Sequence, residues 1–230
     1  MNRPTAVVCV SGGMDSLVTA ALAAREHNPA LLHVTYGQRT AARERRAFER
    51  IAGHFDVPVE RRLVVDIAHL ARIGGSSLTD RSIDVERPTG DEAGGIPSTY
   101  VPFRNANIVA IATSWAETIR ARSIWLGVTE EDSAGYPDCR RAFMDAMERA
   151  IDLGTRPETR IAIETPLVDK TKPDIVRTGA DLGAPFELSW SCYVGEDKAC
   201  GTCDSCRRRL RAFREAGLDD PIPYVTTESP

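Results

Sequence analysis

Several features are absent from this 230-residue chain, and the absences exclude whole classes of protein. No apolar run approaches the roughly 20 residues that a membrane-spanning helix needs, so an integral membrane protein is not expected. The first residues lead into a β-type run without the apolar stretch and cleavage site of a signal peptide, so we expect a cytoplasmic protein. Internal repeats and low-complexity tracts are missing as well.

An excess of basic charge is also missing. The chain has 29 basic and 33 acidic residues, which gives a formal net charge of −4. This balance does not indicate a general polyanion-binding surface, so a nucleic-acid partner is not expected. The length is sufficient for one α/β core with a small appendage.

What the sequence does contain is an alternation of β-type and helical patterns. This alternation predicts an α/β fold with a doubly wound parallel sheet, which binds ligands at the carboxyl ends of its strands. Residues 74–98 are rich in Gly, Ser, Asp and Pro and predict a long loop, which in a compact domain is usually functional or mobile. The predicted strands are Ala6–Val10, Ala30–Thr35, Arg62–Val65 and Ser123–Val128, and the predicted helices are Met14–Arg25, Arg39–His54, Arg104–Thr118 and Arg140–Leu153.

Residues 11–16 read Ser-Gly-Gly-Met-Asp-Ser and connect the first predicted strand to the first predicted helix. Glycines let an oxyanion approach the main chain, and the helix N-terminus aims unpaired N–H groups at the same point. The segment is not a Walker loop, because it lacks that motif's lysine. It resembles the PP-loop of ATP pyrophosphatases, and an ordinary Gly-rich turn is the alternative. We assign the pyrophosphate of a nucleotide to Ser11, Gly12, Gly13, Asp15 and Ser16.

Near the C-terminus, four cysteines follow the pattern C-x7-C-x2-C-x2-C. Four thiolates satisfy tetrahedral zinc and leave no open coordination position, so the predicted zinc is structural. An iron–sulfur cluster and unligated cysteines are the alternatives. We therefore predict a PP-loop nucleotide-binding α/β domain over residues 1–184 and a zinc-binding region over 185–230, with the metal ligands Cys192, Cys200, Cys203 and Cys206.

Further segments join these two motifs into an ordered set. Tyr36-Gly37-Gln38-Arg39 follows the second strand, Val101-Pro102-Phe103-Arg104-Asn105 precedes a helix, and Gly135-Tyr136-Pro137-Asp138-Cys139-Arg140 follows the fourth strand. With Ser189-Trp190-Ser191-Cys192 and the later cysteines, the set resembles the 7-cyano-7-deazaguanine synthase family over nearly the whole chain. In that family, ATP activates a 7-carboxy-7-deazaguanine, ammonia converts it to an amide, and further ATP dehydrates the amide to the nitrile.

The resemblance implies a structural zinc, Mg²⁺, ATP and a homodimer. It places Arg104 where a guanidinium could clamp phosphate or carboxylate, and it places Lys170 or Lys172 near the phosphates; we choose Lys170. Asp15 is expected to reach the pyrophosphate through Mg²⁺ and, with Arg104 and Lys170, to act in catalysis. The base is assigned to Tyr136, Asp138 and Arg140, with Asp138 accepting from its N–H edge. Solvated or simply packed side chains are the alternatives at Arg104, Tyr136, Arg140 and the two lysines.

Three other functions fit parts of the pattern. A relative with the same chemistry could hand the activated deazaguanine to another amine, such as a protein N-terminus. A tRNA-binding sulfur-transfer enzyme would need a reactive cysteine pair outside the zinc set, where only Cys9 and Cys139 remain. A non-enzymatic zinc-knuckle adaptor would leave the 11–16 segment without a purpose.

Overall fold

The computed structural model describes residues 3–85, 95–133 and 135–225, so residues 86–94 of the predicted long loop lie outside the described residues. The described chain contains a five-stranded sheet with the strand order β3-β2-β1-β4-β5, and every neighbouring pair is parallel. The strands are β1 (Thr5–Cys9), β2 (Asn28–Thr35), β3 (Arg62–Asp66), β4 (Ser123–Trp125) and β5 (Ala162–Glu164).

Helices cover both faces of this sheet. On one face, α1, α2, α7 and α8 pack around Leu17, Phe48 and Phe213, and on the other face α3, α4 and α6 pack around Val109 and Met144. The helices are α1 (Met14–Glu26), α2 (Ala41–His54), α3 (His69–Ile73), α4 (Arg104–Ile119), α5 (Glu130–Ser133), α6 (Arg141–Gly154), α7 (Lys172–Asp181) and α8 (Asp204–Ala216).

The composition of β1 explains its central position. Its consecutive residues Ala6, Val7 and Val8 are all fully buried, because successive side chains point to opposite faces and helices cover both. Such a strand reads as a continuous apolar run rather than as an alternating one. The predicted doubly wound α/β fold is therefore confirmed. Among the described residues, no helix combines the length and the apolar character needed to cross a bilayer.

The structure differs from the predicted elements at several boundaries. Strand β4 ends at Trp125, three residues before the predicted end, because Leu126, Gly127 and Val128 leave the sheet and line a cavity. Helix α2 begins at Ala41 rather than Arg39, and α8 begins at Asp204, whereas the basic helical pattern in the sequence begins only at Arg207. Strand β5 and helices α3, α5 and α7 are not among the predicted elements.

A buried ion pair joins α8 to the segments on either side of it. The guanidinium of Arg209 meets the carboxylate of Asp220 through two bonds, Nε–Oδ2 at 2.7 Å and Nη2–Oδ1 at 2.9 Å. The two side chains are only 2% and 3% exposed. Arg209 also donates to Ser189 Oγ at 2.7 Å, and Tyr224 donates to Asp220 Oδ2 at 2.6 Å. The pair therefore links α8 to the chain before the cysteines and to the chain after the helix.

Asp220→Asn is expected to destabilise the protein by about 3–5 kcal/mol, because it leaves the Arg209 charge buried without its counterion. The measurement is the free energy of unfolding in urea, with Asp174→Asn as the matched control. Asp174 pairs with Arg177 on the surface, where such pairs contribute about 0–1 kcal/mol. Equal losses in the two variants would contradict the structural role of the buried pair.

Candidate active site

A cavity of about 300 Å³ opens at the carboxyl ends of the central strands. The loop after β1, the loop after β2 and the residues after β4 form its walls, together with the starts of α4 and α8. Doubly wound sheets bind ligands at this edge, where adjacent loops diverge. The cavity is therefore the candidate active site.

The segment 11–16 forms the predicted anion cradle at the start of α1. Gly13 is the N-cap residue, and no side-chain hydrogen bond caps the helix, so its N-terminus is open toward a ligand. Gly12 has a φ of +94°, and a Cβ there would lie 2.7 Å from the Glu44 carbonyl oxygen. The hydroxyl of Ser11 accepts from Gly13 N at 3.2 Å and donates to Ser16 Oγ at 3.1 Å. These hydrogen bonds within the segment fix the conformation of its backbone beside the cavity.

The negative charge of Asp15, which would repel an anion bound by this loop, is offset by a lysine. Lys172 Nζ lies 2.8 Å from Asp15 Oδ2, and both residues line the cavity. The Lys172 side chain is buried, and it comes from the first turn of α7. Lys170, the lysine chosen from sequence, is not among the described residues that line the cavity. The geometry therefore favours Lys172 over Lys170 as the cation near a bound phosphate.

The opposite wall carries a second cation. Arg104, the first residue of α4, donates from Nη1 to the Tyr36 hydroxyl at 3.0 Å. Burial acts to lower the pKa of Arg104, but its electrostatic interactions with nearby groups, first Tyr36 and then Asp138, outweigh it and hold this pKa above its usual value. A cation in the first turn lies beside the positive end of the helix dipole, which is unfavourable. An anion bound in the cavity would offset this cost. Tyr136 lines the same wall, with its hydroxyl 2.6 Å from Thr99 Oγ1.

Two residues assigned to the base from sequence are not among the described residues that line the cavity. Asp138 is buried, and its Oδ2 accepts from the backbone N–H of Asn105 at 2.8 Å, in the first turn of α4. Asp138 is not among the described residues that line the cavity, and neither is Arg140, which is exposed at the start of α6. Of the three residues assigned to the base, only Tyr136 is among the described residues that line the cavity, and Asp138 lies behind it against α4.

A carboxylate that sequence reasoning missed does line the cavity. Glu44 on α2 accepts from Gln38 Nε2 and from Thr40 Oγ1, each at 2.8 Å. Gln38 is itself fixed, because its Oε1 accepts from Tyr36 N at 2.8 Å. The available signal was the spacing of Gln38, Thr40 and Glu44 after β2, which places all three around the start of α2.

Part of the predicted long loop also reaches the cavity. The side chain of Arg39 donates to three main-chain carbonyls of this loop, those of Ser77, Asp80 and Ile83. These bonds hold Leu78 against the cavity wall. Arg39 is therefore a structural tether rather than a free cation.

The four cysteines near the C-terminus come together as predicted. Their Sγ atoms lie within 4.8 Å of one another, and those of Cys200 and Cys206 are 3.9 Å apart. Zn–S bonds of about 2.3 Å in a tetrahedron place sulfurs about 3.8 Å apart, so the set fits zinc. The backbone N–H groups of Gly195 and Cys200 donate to the Cys192 sulfur at 3.1 and 3.3 Å, which suits a thiolate at this position.

The metal site is connected to the anion cradle. Trp190, two residues before the first cysteine, donates from its backbone N–H to Gly12 O at 2.7 Å. Its indole N–H donates to Gly195 O at 3.0 Å, inside the loop between Cys192 and Cys200. These two bonds therefore link the cysteine region to the residues that would hold phosphate.

Fold and site together define a nucleotide-binding α/β protein with a PP-loop. NMN synthetase from Francisella tularensis has a similar fold, with a TM-score of 0.52 and 14% identity over 98% of this chain and 80% of that chain. The model of the family "Queuosine biosynthesis protein QueC" matches residues 5–217, and this chain belongs to the QueC family.

Two curated relatives are similar over nearly their whole length. The "7-cyano-7-deazaguanine synthase" of Chlorobium phaeobacteroides (strain BS1) is 58% identical over 220 residues, which are 95% of this chain and 96% of the relative. The protein of the same name from Chlorobium luteolum (strain DSM 273 / BCRC 81028 / 2530) is 57% identical over 221 residues, again 95% and 96%.

Proposed function

We propose that this chain is an ATP-dependent ligase that converts 7-carboxy-7-deazaguanine and ammonia into 7-cyano-7-deazaguanine. The observation that carries this proposal is the 57–58% identity, over nearly the whole chain, to proteins that bear the synthase name. A cavity with an anion cradle at one end and a fixed guanidinium at another suits ATP and an acidic substrate together.

In the first step, the cradle at α1 holds the triphosphate while the substrate carboxylate attacks the α-phosphorus. Pyrophosphate leaves, and the acid becomes an acyl adenylate, which is a far better electrophile than a carboxylate. Ser11, Gly12, Gly13 and Ser16 supply hydroxyl and main-chain donors, and Lys172 offsets the negative charge of pyrophosphate and Asp15. Mg²⁺ bound to the phosphates would be in reach of Asp15.

In the second step, ammonia attacks the acyl carbon and AMP leaves, which gives the amide. A second ATP then transfers AMP to the amide oxygen, and loss of AMP with the amide protons gives the nitrile. Arg104 holds the carboxylate in line with the phosphate, so that catalysis comes from positioning and charge. Tyr136 packs beside the base.

Asp138 has a positioning role in this proposal. Its bond to Asn105 N fixes the first turn of α4, and this turn carries Arg104. We assign no substrate contact to Arg140. The cysteine cluster holds a structural zinc, and four protein sulfurs leave that metal without a part in the chemistry. We also propose that the protein is a homodimer, that it acts in the cytoplasm, and that it has no nucleic-acid partner.

The sulfur-transfer alternative is disfavoured by the two cysteines outside the metal cluster. Burial raises the pKa of Cys9 to about 12, and Cys139 is buried against Asn105. A thiol with so high a pKa is a poor nucleophile at neutral pH.

The product decides between the remaining alternatives. We expect the protein, mixed with ATP, Mg²⁺, ammonium and 7-carboxy-7-deazaguanine, to yield the nitrile, AMP and pyrophosphate, as measured by mass spectrometry. A reaction that stops at the amide, or that proceeds only with a protein amine as acceptor, would contradict the proposed product.

A further inference from the structure

Among the carboxylates that line the cavity, Glu44 differs from the others in its surroundings. Asp15 meets Lys172 at 2.8 Å, and Asp204 meets Arg208 at 2.8 Å. Glu44 makes no ion pair with any residue in the described parts of the chain, and its partners are the neutral donors Gln38 and Thr40. A negative charge that has no counterion among the described residues and that faces a ligand cavity is available to a donor group of the ligand.

The two hydrogen bonds also fix the orientation of this carboxylate. Gln38 holds Oε2, and Thr40 holds Oε1, so each oxygen keeps an acceptor position for one further bond. Gln38 and Thr40 are both buried, and the carbonyl of Glu44 lies against Gly12 of the anion cradle. The side chain is therefore a rigid pair of acceptors rather than a mobile surface charge.

A guanine-type base is the part of the proposed substrate that matches such a pair. Its N1–H and 2-amino groups are adjacent donors in one plane, which one carboxylate can accept together. Adenine does not fit, since its N1 is an acceptor and would face an oxygen. Apolar side chains of Leu32, Val34 and Leu126 line the cavity and suit the flat ring.

The position relative to Arg104 supports the same occupant. Glu44 is on α2, which packs on one face of the sheet, and Arg104 is on α4, which packs on the other. Burial raises the pKa of Tyr36, the charge of Arg104 opposes this, and the charge of Glu44 adds to it, so both groups lie near this tyrosine. A 7-carboxy-7-deazaguanine carries its carboxylate and its donor edge on opposite sides of the ring.

We propose that Glu44 is the specificity residue that binds the N1–H and 2-amino edge of the deazaguanine, held in place by Gln38 and Thr40. This inference rests on the proposed function, and it moves the base-reading role from Asp138 to a residue on another helix.

The test compares 7-carboxy-7-deazaguanine with its analogue that lacks the 2-amino group. In calorimetry with the wild-type protein, the Kd of the analogue is expected to be at least about 10-fold higher than the Kd of the natural acid. In Glu44→Gln, the Kd of the natural acid should rise about 10- to 100-fold, because the amide presents an N–H to a donor edge. The difference between the two acids should then largely disappear, while the Kd of ATP stays unchanged.

Glu49→Gln is the matched control, because Glu49 is on the same helix and is not among the described residues that line the cavity. Equal binding of the two acids to the wild-type protein, or an undiminished preference in Glu44→Gln, would overturn the inference. The inference would also be overturned if Glu44→Gln raised only the Kd of ATP or only the KM of ammonium. Because binding is the readout, failure of nitrile formation in the wild-type protein is a separate result that bears on the proposed function.

Discussion

Lys172→Ala is expected to lower kcat/KM by about 100- to 1,000-fold. Lys172 is buried at the cavity, and its ammonium lies 2.8 Å from Asp15 in the anion cradle. Without it, the Asp15 carboxylate would lose its lysine counterion and repel the triphosphate more strongly, so the barrier to the transfer of AMP would rise. Pyrophosphate release in the steady state measures the effect.

Lys170→Ala provides the matched control two residues away. Lys170 is not among the described residues that line the cavity, so we expect this variant to keep near-normal turnover and ATP affinity. A large loss in Lys170→Ala together with normal rates in Lys172→Ala would show that the lysines have been assigned in the wrong order.

Loss of one cysteine ligand is also expected to have a large effect. It should lower the stability of the fold rather than slow the chemical step. In Cys203→Ala, only three sulfurs remain for the metal, and structural zinc contributes about 10–16 kcal/mol in peptide systems. Cys203 is also the N-cap residue of α8, and the cysteine region holds the backbone of Gly12 through Trp190. The variant should lose zinc and unfold at a lower temperature, as elemental analysis and thermal melts would show.

Cys9→Ala is the control for this experiment, since Cys9 is in β1 and outside the four-cysteine cluster. It should keep one zinc per chain and lose about 1 kcal/mol of stability, as a small truncation in a strand does. A soluble Cys203→Ala protein with full zinc content and an unchanged melting temperature would contradict a closed four-sulfur site.

The parts of the fold that local sequence patterns determine were predictable. Strand β1 is apolar on both faces, α1 follows it directly, and both begin within a residue of the predicted position. Strand β5 has only three residues, too few for a period to appear. Helix α7 did carry a signal, because Thr171 caps it by accepting from Asp174 N. Its short, mixed sequence obscured that cap.

The candidate site was predictable only where its residues are contiguous. The anion cradle and the cysteine cluster are local motifs, whose spacing limits their geometry. The choice between Lys170 and Lys172 depends on which lysine side chain reaches Asp15 on α1, and this is a tertiary contact. Asp138 and Glu44 illustrate the same limit, since each carboxylate takes its role from a helix packed against it or from loop residues nearby.

A crystal structure with an ATP analogue that has a methylene bridge between its α- and β-phosphates addresses the nucleotide site itself. The β- and γ-phosphates should lie against the backbone N–H groups at the start of α1, with Lys172 Nζ within hydrogen-bond distance. A triphosphate bound elsewhere, with residues 11–16 free of ligand, would contradict the assignment of this cradle and the chemistry built on it.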